Sequence, residues 1–164
     1  HGGSLRVFAC RAESDKYPAT DGLKHIRAKE QAAGLDTVDA YQNFTPRVEH
    51  VRRTLLEFLK TAKAEGKTVA AYGAAAKGNT LLNYCGVGMD LIDFVVDRNP
   101  EKQGTLLPGS HIPVFETDKI FAEKPDYVLI LPWNLASEIS ADMKGIKEWG
   151  GRFVIPIPEV KILS

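Results

Sequence analysis

From Lys67 onward the chain alternates short, unbroken apolar runs with segments of helical pattern, and no other feature restricts the fold as strongly. "TVAAYG", "LIDFVVD", "YVLIL" and "RFVIPIP" read as strands, and "HIPVF" as a short extended piece. "KGNTLLNYCG", "TDKIFAEK" and "LASEISADMKGIKEWG" read as the helices between them. A strand that is apolar at every position is covered on both faces, and strands joined through helices run parallel with those helices as the cover. Residues 67–164 are therefore predicted to form an α/β, Rossmann-like domain, a mostly parallel sheet with flanking helices.

Residues 1–66 follow a different pattern. "SLRVFACRA" alternates weakly, as a partly covered strand would, and "ESDKYPATDG" is a polar loop. Helical composition runs from Asp21 to Ala33 and stops at Gly34. Asp36 or Thr37 then opens a long amphipathic helix to about Ala64, kinked or stepped near Pro46, with Val48, Val51, Leu55, Leu59 and Ala62 on one stripe. The expectation is an amino-terminal strand plus helical segment packing on the 67–164 domain, the whole forming one compact unit. An opening at His1-Gly2-Gly3 without methionine reads as a piece of a longer polypeptide.

Composition excludes several functions. With 21 basic and 21 acidic residues among 164, the net charge is zero, which gives no electrostatic case for nucleic acid or an anionic membrane surface. "YVLILPW" and "LIDFVV" fall well short of the roughly 20 apolar residues that cross a bilayer, so a soluble, cytoplasmic protein is expected. Cys10 and Cys85 are far apart and form no CxxC pair, so neither a zinc site nor a disulfide framework is indicated.

The chemistry concentrates in "AYGAAAKGNTLLNYCG". Gly73, Ala75 and Gly78 fall at the spacings of the dinucleotide fingerprint G-x-G-x-x-G, and Asp97 closes the next strand at a suitable distance. Alanine at the middle position puts a methyl group where a pyrophosphate would come closest, which weakens an NAD reading. A P-loop is excluded because Lys77 precedes Gly78 instead of following a glycine. What remains is an anion site: free N–H groups at a helix start, with Lys77, Asn79 and Thr80 beside them. The competing reading is a tight turn, with the glycines serving packing and Lys77 in solvent.

Other candidates have two readings each. Asp97 accepts from ribose hydroxyls, or pairs with Arg98 or caps the next turn. His111, in the turn Pro108-Gly109-Ser110-His111, is a ligand contact or base, or is structural. Trp133 stacks on a base or sugar, Asn134 bonds a hydroxyl or caps the following helix, and Glu138 lies one turn into it.

Six ordered blocks, "HGGSLRVF", "AAGLDTVDAYQNF", "YGAAAKGNTLLNYCG", "VVDRNPEKQGTLLPGSHIPV", "PDYVLILPWN" and "GGRFVIPIPEV", together resemble the carboxyl-terminal domain of the sugar C-methyltransferases that act on nucleotide-linked deoxysugars. The resemblance implies a larger enzyme, with an amino-terminal zinc lobe, a central domain binding S-adenosylmethionine, and this third domain helping to hold the nucleotide-sugar. Zinc, methyl donor and the family's acid-base cluster would all lie outside this chain, which would be inactive alone. The full enzyme would remove a proton from the carbon next to a sugar keto group, stabilise the enolate and methylate that carbon. The loop at Lys77 would serve the diphosphate of a nucleotide-sugar, expected to be dTDP-linked, and the partner domain would be the S-adenosylmethionine domain. His1, Ser4 and Arg6 would then be interdomain contributors, or else only the start of a strand after a tight Gly-Gly turn. A stand-alone NAD or coenzyme A module and a scaffold whose pocket is vestigial are the competing functions.

Overall fold

A computed structural model describes residues 5–163. The chain divides into two compact units, one ending at Glu49 and the other beginning at His50. The first contains α1 (Asp21–Ala32), α2 (Asp39–Gln42) and the start of α3 (Phe44–Ala64). α1 stops as expected at Gly34, with Gly34 N–H bonded to Gln31 O and Leu35 N–H to Glu30 O. The long helix is stepped: it breaks at Asn43, and Pro46 falls in the first turn of α3, where its missing N–H removes no helical bond.

The expected strand at the start is not there. Residues 5–10 are exposed and join no ladder among the described residues. Their alternation was deceptive: Phe8 falls on the same side as Arg6 and Cys10, so neither side is cleanly apolar, and without a neighbouring strand the backbone groups gain nothing from extension.

The second unit is the doubly wound domain. Six strands, β1 (Val69–Tyr72), β2 (Phe94–Val96), β3 (Val114–Phe115), β4 (Tyr127–Ile130), β5 (Arg152–Ile155) and β6 (Lys161–Leu163), form one sheet in the order β3-β2-β1-β4-β5-β6. β1 to β5 pair in parallel and β6 joins β5 antiparallel. β6 was not foreseen, because three residues after a proline-containing turn carry too little pattern.

Both faces of the sheet are covered, which is why β1 and β4 are buried at every position. On one face Leu55, Leu59 and Ala62 of α3, with Leu81, Leu82 and Cys85 of α4 (Ala76–Cys85), pack on Val69, Ala71 and Leu129. On the other, Ile120 of α5 (Lys119–Glu123) and Ile139 of α6 (Ala136–Asp142), with Met143 and Ile146, cover Ala70, Tyr72, Val128 and Ile130. Leu55 and Leu59 are wholly inaccessible, and burying such a side chain contributes about 2–3 kcal/mol. The last helix of the sequence reading is broken into a 3-10 turn (Trp133–Leu135), α6 and a second 3-10 segment (Lys144–Trp149). Gly145 lies there against the Phe121 ring, where a side chain's first carbon would come within 2.9 Å. No helix among the described residues is long and apolar enough to cross a membrane.

At the amino ends of β1 and β4 a carboxylate ties the sheet's middle together. Asp126 accepts from Lys67 Nζ at 2.9 Å, from Thr68 N–H at 2.9 Å and from Thr68 Oγ1 at 3.1 Å. The Thr68 N–H foremost, with Lys67, holds the Asp126 carboxyl below its usual range. A depressed carboxyl stabilises the fold above its unfolded pKa and loses that contribution as pH falls through the folded value. Asp126→Asn is therefore expected to lower the melting temperature by about 3 °C at pH 7. The gap between variant and wild type should narrow as pH falls through and below the ordinary carboxylate range, as thermal melts across pH will check.

Candidate functional site

β1 ends at Tyr72 and passes through Gly73, Ala74 and Ala75 into α4. Gly73 has φ +94°, a backbone conformation that side chains disfavour, and its N–H donates to Val96 O at 2.7 Å. A Cβ at Gly73 would come within 2.6 Å of the Pro132 ring, and one at Gly78 within 2.6 Å of Leu131 Cβ. The two glycines thus let the loop and the first turn of α4 press against the end of β4. β1 and β4 are the strands between which the winding reverses, and the crevice outside their carboxyl ends is where such sheets bind ligands.

The amino end of α4 is uncapped: Ala75 offers no side-chain acceptor, and the first helical return is Asn79 N–H to Ala75 O. The amides of Ala76, Lys77 and Gly78 precede that bond and carry the positive end of the helix dipole. Lys77 does not point into empty solvent. Its Nζ donates to Asn134 Oδ1 and sits 4.6 Å from the centre of the Trp133 ring. The sequence candidates Lys77, Trp133 and Asn134 are therefore brought together across the β1–β4 seam. Asn134 holds Lys77 in place of capping a helix: Pro132 and Leu135 occupy the cap positions, and neither makes a side-chain cap bond.

The remaining candidates are placed less centrally. Thr80 Oγ1 donates back to Ala76 O at 3.1 Å, and Asn79 Oδ1 is buried without a partner among the described residues. His111 is exposed in a left-handed turn, with its N–H bonded to Leu107 O. Arg6 is exposed, whereas His1 and Ser4 lie outside the described residues.

Asp97 is buried, and both its oxygens are engaged by the protein itself. Oδ2 accepts from Ala74 N–H at 2.7 Å and from Lys102 Nζ at 3.1 Å, while Oδ1 accepts from Asn99 N–H at 2.8 Å. Of its alternatives, the turn-capping one is thus realised through Asn99, and its cationic partner is Lys102. Arg98 turns away to Asp142 and Glu138 on α6. It also lies beside Tyr72, whose hydroxyl pKa is pushed up by burial against the opposing pull of the Arg98 charge. Lys102 and Gln103, whose Nε2 donates to Asp97 O at 2.9 Å, were not singled out from sequence. The signal available was their spacing within "DRNPEKQG", which folds back on its own first residue.

This donor set does not suit a nucleoside cofactor laid along β1 and β2. Its ribose would call on the acidic residue at the end of β2, and protein donors already take three of the roughly four acceptor sites of the Asp97 carboxylate. Among the described residues no group of His, Cys, Asp or Glu could hold a metal ion.

Residues 1–158 match the family described as the C-methyltransferase C-terminal domain. The chain belongs to that family. The C-methyltransferase NovU of Streptomyces niveus is 42% identical over all 164 residues, which span 39% of its length. Among solved structures, the UDP-D-quinovosamine 4-dehydrogenase of Vibrio fischeri is similar over 60% of this chain and 93% of its own, with a TM-score of 0.46 and 17% identity. In this C-methyltransferase domain the seam between α4 and β4 leaves no space for a methyl at position 78. Gly78→Ala should cost about 1–3 kcal/mol through overpacking against Leu131, measurable by denaturant unfolding.

Proposed function

We propose that this domain holds the diphosphate of a nucleotide-linked deoxysugar at the amino end of α4, within an S-adenosylmethionine-dependent enzyme that methylates the carbon beside the sugar's keto group. One observation carries the reading: Lys77 is held over Trp133 and against Asn134 directly beside the uncapped start of α4. The amides of Ala76, Lys77 and Gly78 supply dipolar donors for one phosphate, and the ammonium supplies full charge for its neighbour. Lys77 has three N–H groups, so the Asn134 bond leaves donors for oxygen. Trp133 offers an apolar face for a sugar or base.

In this proposal, S-adenosylmethionine supplies the methyl group from another part of the full enzyme. The acid-base groups that deprotonate the carbon and steady the enolate also lie there, so the domain alone is inactive. Its own contribution is to anchor the substrate through parts that do not react, which lowers the entropy cost of bringing the sugar to the base. Membership of the C-methyltransferase family and the 42% identity to NovU support this reading. Spacing of Gly73, Ala75 and Gly78 favours a second reading, an NAD or coenzyme A module, but the engaged Asp97 weighs against the NAD form.

Calorimetric titration tests it. Thymidine diphosphate should bind saturably, and Lys77→Ala should weaken it about 10- to 100-fold, the value of a charge-assisted hydrogen bond. Tight NADH or coenzyme A binding with none for thymidine diphosphate would replace the substrate-anchor reading with the second one.

A further inference from the structure

Ala74, in the middle of the loop between β1 and α4, is gripped on both sides. Ala74 N–H donates to Asp97 Oδ2 at 2.7 Å, and Ala74 O accepts from Lys102 Nζ at 2.9 Å. Lys102 Nζ also bonds Asp97 Oδ2 at 3.1 Å, closing a ring of one backbone residue and two side chains. The ring is anchored to β3, because Asp97 N–H donates to Phe115 O at 3.0 Å, and to its own loop, because Asp97 O accepts from Gln103 Nε2 at 2.9 Å. Asn99 N–H takes the other carboxylate oxygen, so Asp97 has a protein donor on each oxygen.

We propose that Asp97 and Lys102 are positioning residues: they fix the loop at Ala74 so that the amides of Ala76 to Gly78 converge on one point, and they do so without touching the ligand. This rests on the reading of α4 as a diphosphate site. Ala74 lies between Gly73, whose backbone has no side chain to restrict it, and Ala75, which has no side-chain acceptor to fix the start of the helix. Without a grip on Ala74, rotation at Gly73 would swing the amides away from the seam. Aligned donors act on an anion only if they are already aimed when it arrives.

The charges are arranged for the same end. Asp97 is only 12% exposed at its side chain and Lys102 40%, so the anion is enclosed and its cation closes over it from the solvent side. The carboxylate is neutralised by Lys102, which prevents it from repelling an incoming phosphate. The acidic residue at the end of β2 thus serves in this proposal as part of the loop's frame, not as a ligand group.

Two ligands and two variants separate the alternatives. Wild type, Asp97→Ala and Lys102→Met are titrated with thymidine diphosphate and with inorganic pyrophosphate, which has no ribose. Amide hydrogen exchange is followed in the ligand-free proteins. Both variants should weaken both ligands by the same factor, about tenfold, and accelerate exchange at Ala74 by at least as much. Exchange at Leu129 and Val154, inside the sheet, should be unchanged, which a general loss of stability would not allow.

Weaker thymidine diphosphate binding with unchanged pyrophosphate binding in Asp97→Ala, and no effect of Lys102→Met, would show a direct ribose contact and overturn the proposal. Unaltered exchange at Ala74 in both variants would overturn it as well. If wild type binds neither ligand, the diphosphate reading fails, and the exchange rates alone decide whether the grip sets the loop.

Discussion

The close approach of α4 to the carboxyl end of β4 is the contact on which the rest of the domain depends. It is made by what is missing: Gly78 has no side chain against Leu131, and Gly73 has none against Pro132. With that contact made, α4 lies flat enough for Leu81, Leu82 and Cys85 to reach the core that α3 covers on the same face. The uncapped start of the helix is brought to the seam by the same contact, so core packing and site geometry share one cause. Any residue larger than glycine would force them apart together.

Much of this was legible in the sequence, and the reasons are specific. Buried parallel strands show as unbroken apolar runs, so β1, β2, β4 and β5 could be read directly, along with α4 and the glycine spacing at its start. A three-residue edge strand leaves no such mark, and β6 passed unnoticed. The opposite error occurred at residues 5–10, where alternation suggested a strand with no neighbour to pair it. In the site, Lys77, Trp133 and Asn134 were visible as residue types at strand ends, but their mutual contact spans 57 positions and depends on the sheet order. Lys102 was missed for another reason: its role comes from a loop folding back five residues, which shows only as a short spacing and in no periodicity.

The two lysines of the site illustrate a division of labour that residue type alone does not reveal. Lys102 is committed to Ala74 and Asp97, and its charge is spent within the protein. Lys77 is steadied by a neutral amide and an aromatic face, partners that orient it without cancelling its charge. Of the two, only the second remains an electrostatic attraction for an anion from outside. The distinction follows from partner chemistry: a carboxylate neutralises, whereas an amide oxygen and an indole do not.

The pairing of β1 with β4 carries a kinetic meaning. β1 meets β2 over a separation of 24 positions at Val69 and Asp93, but meets β4 over 58 at Thr68 and Asp126. Closing the longer loop costs more chain entropy, which favours forming β1, α4 and β2 as a local half before β4 joins it. The crevice at their junction does not exist in the local half, since Leu131, Pro132, Trp133 and Asn134 all come with β4. A ligand bound there acts as a clasp between early and late halves of the chain, and mass action makes it stabilise the joined domain over every partly assembled one.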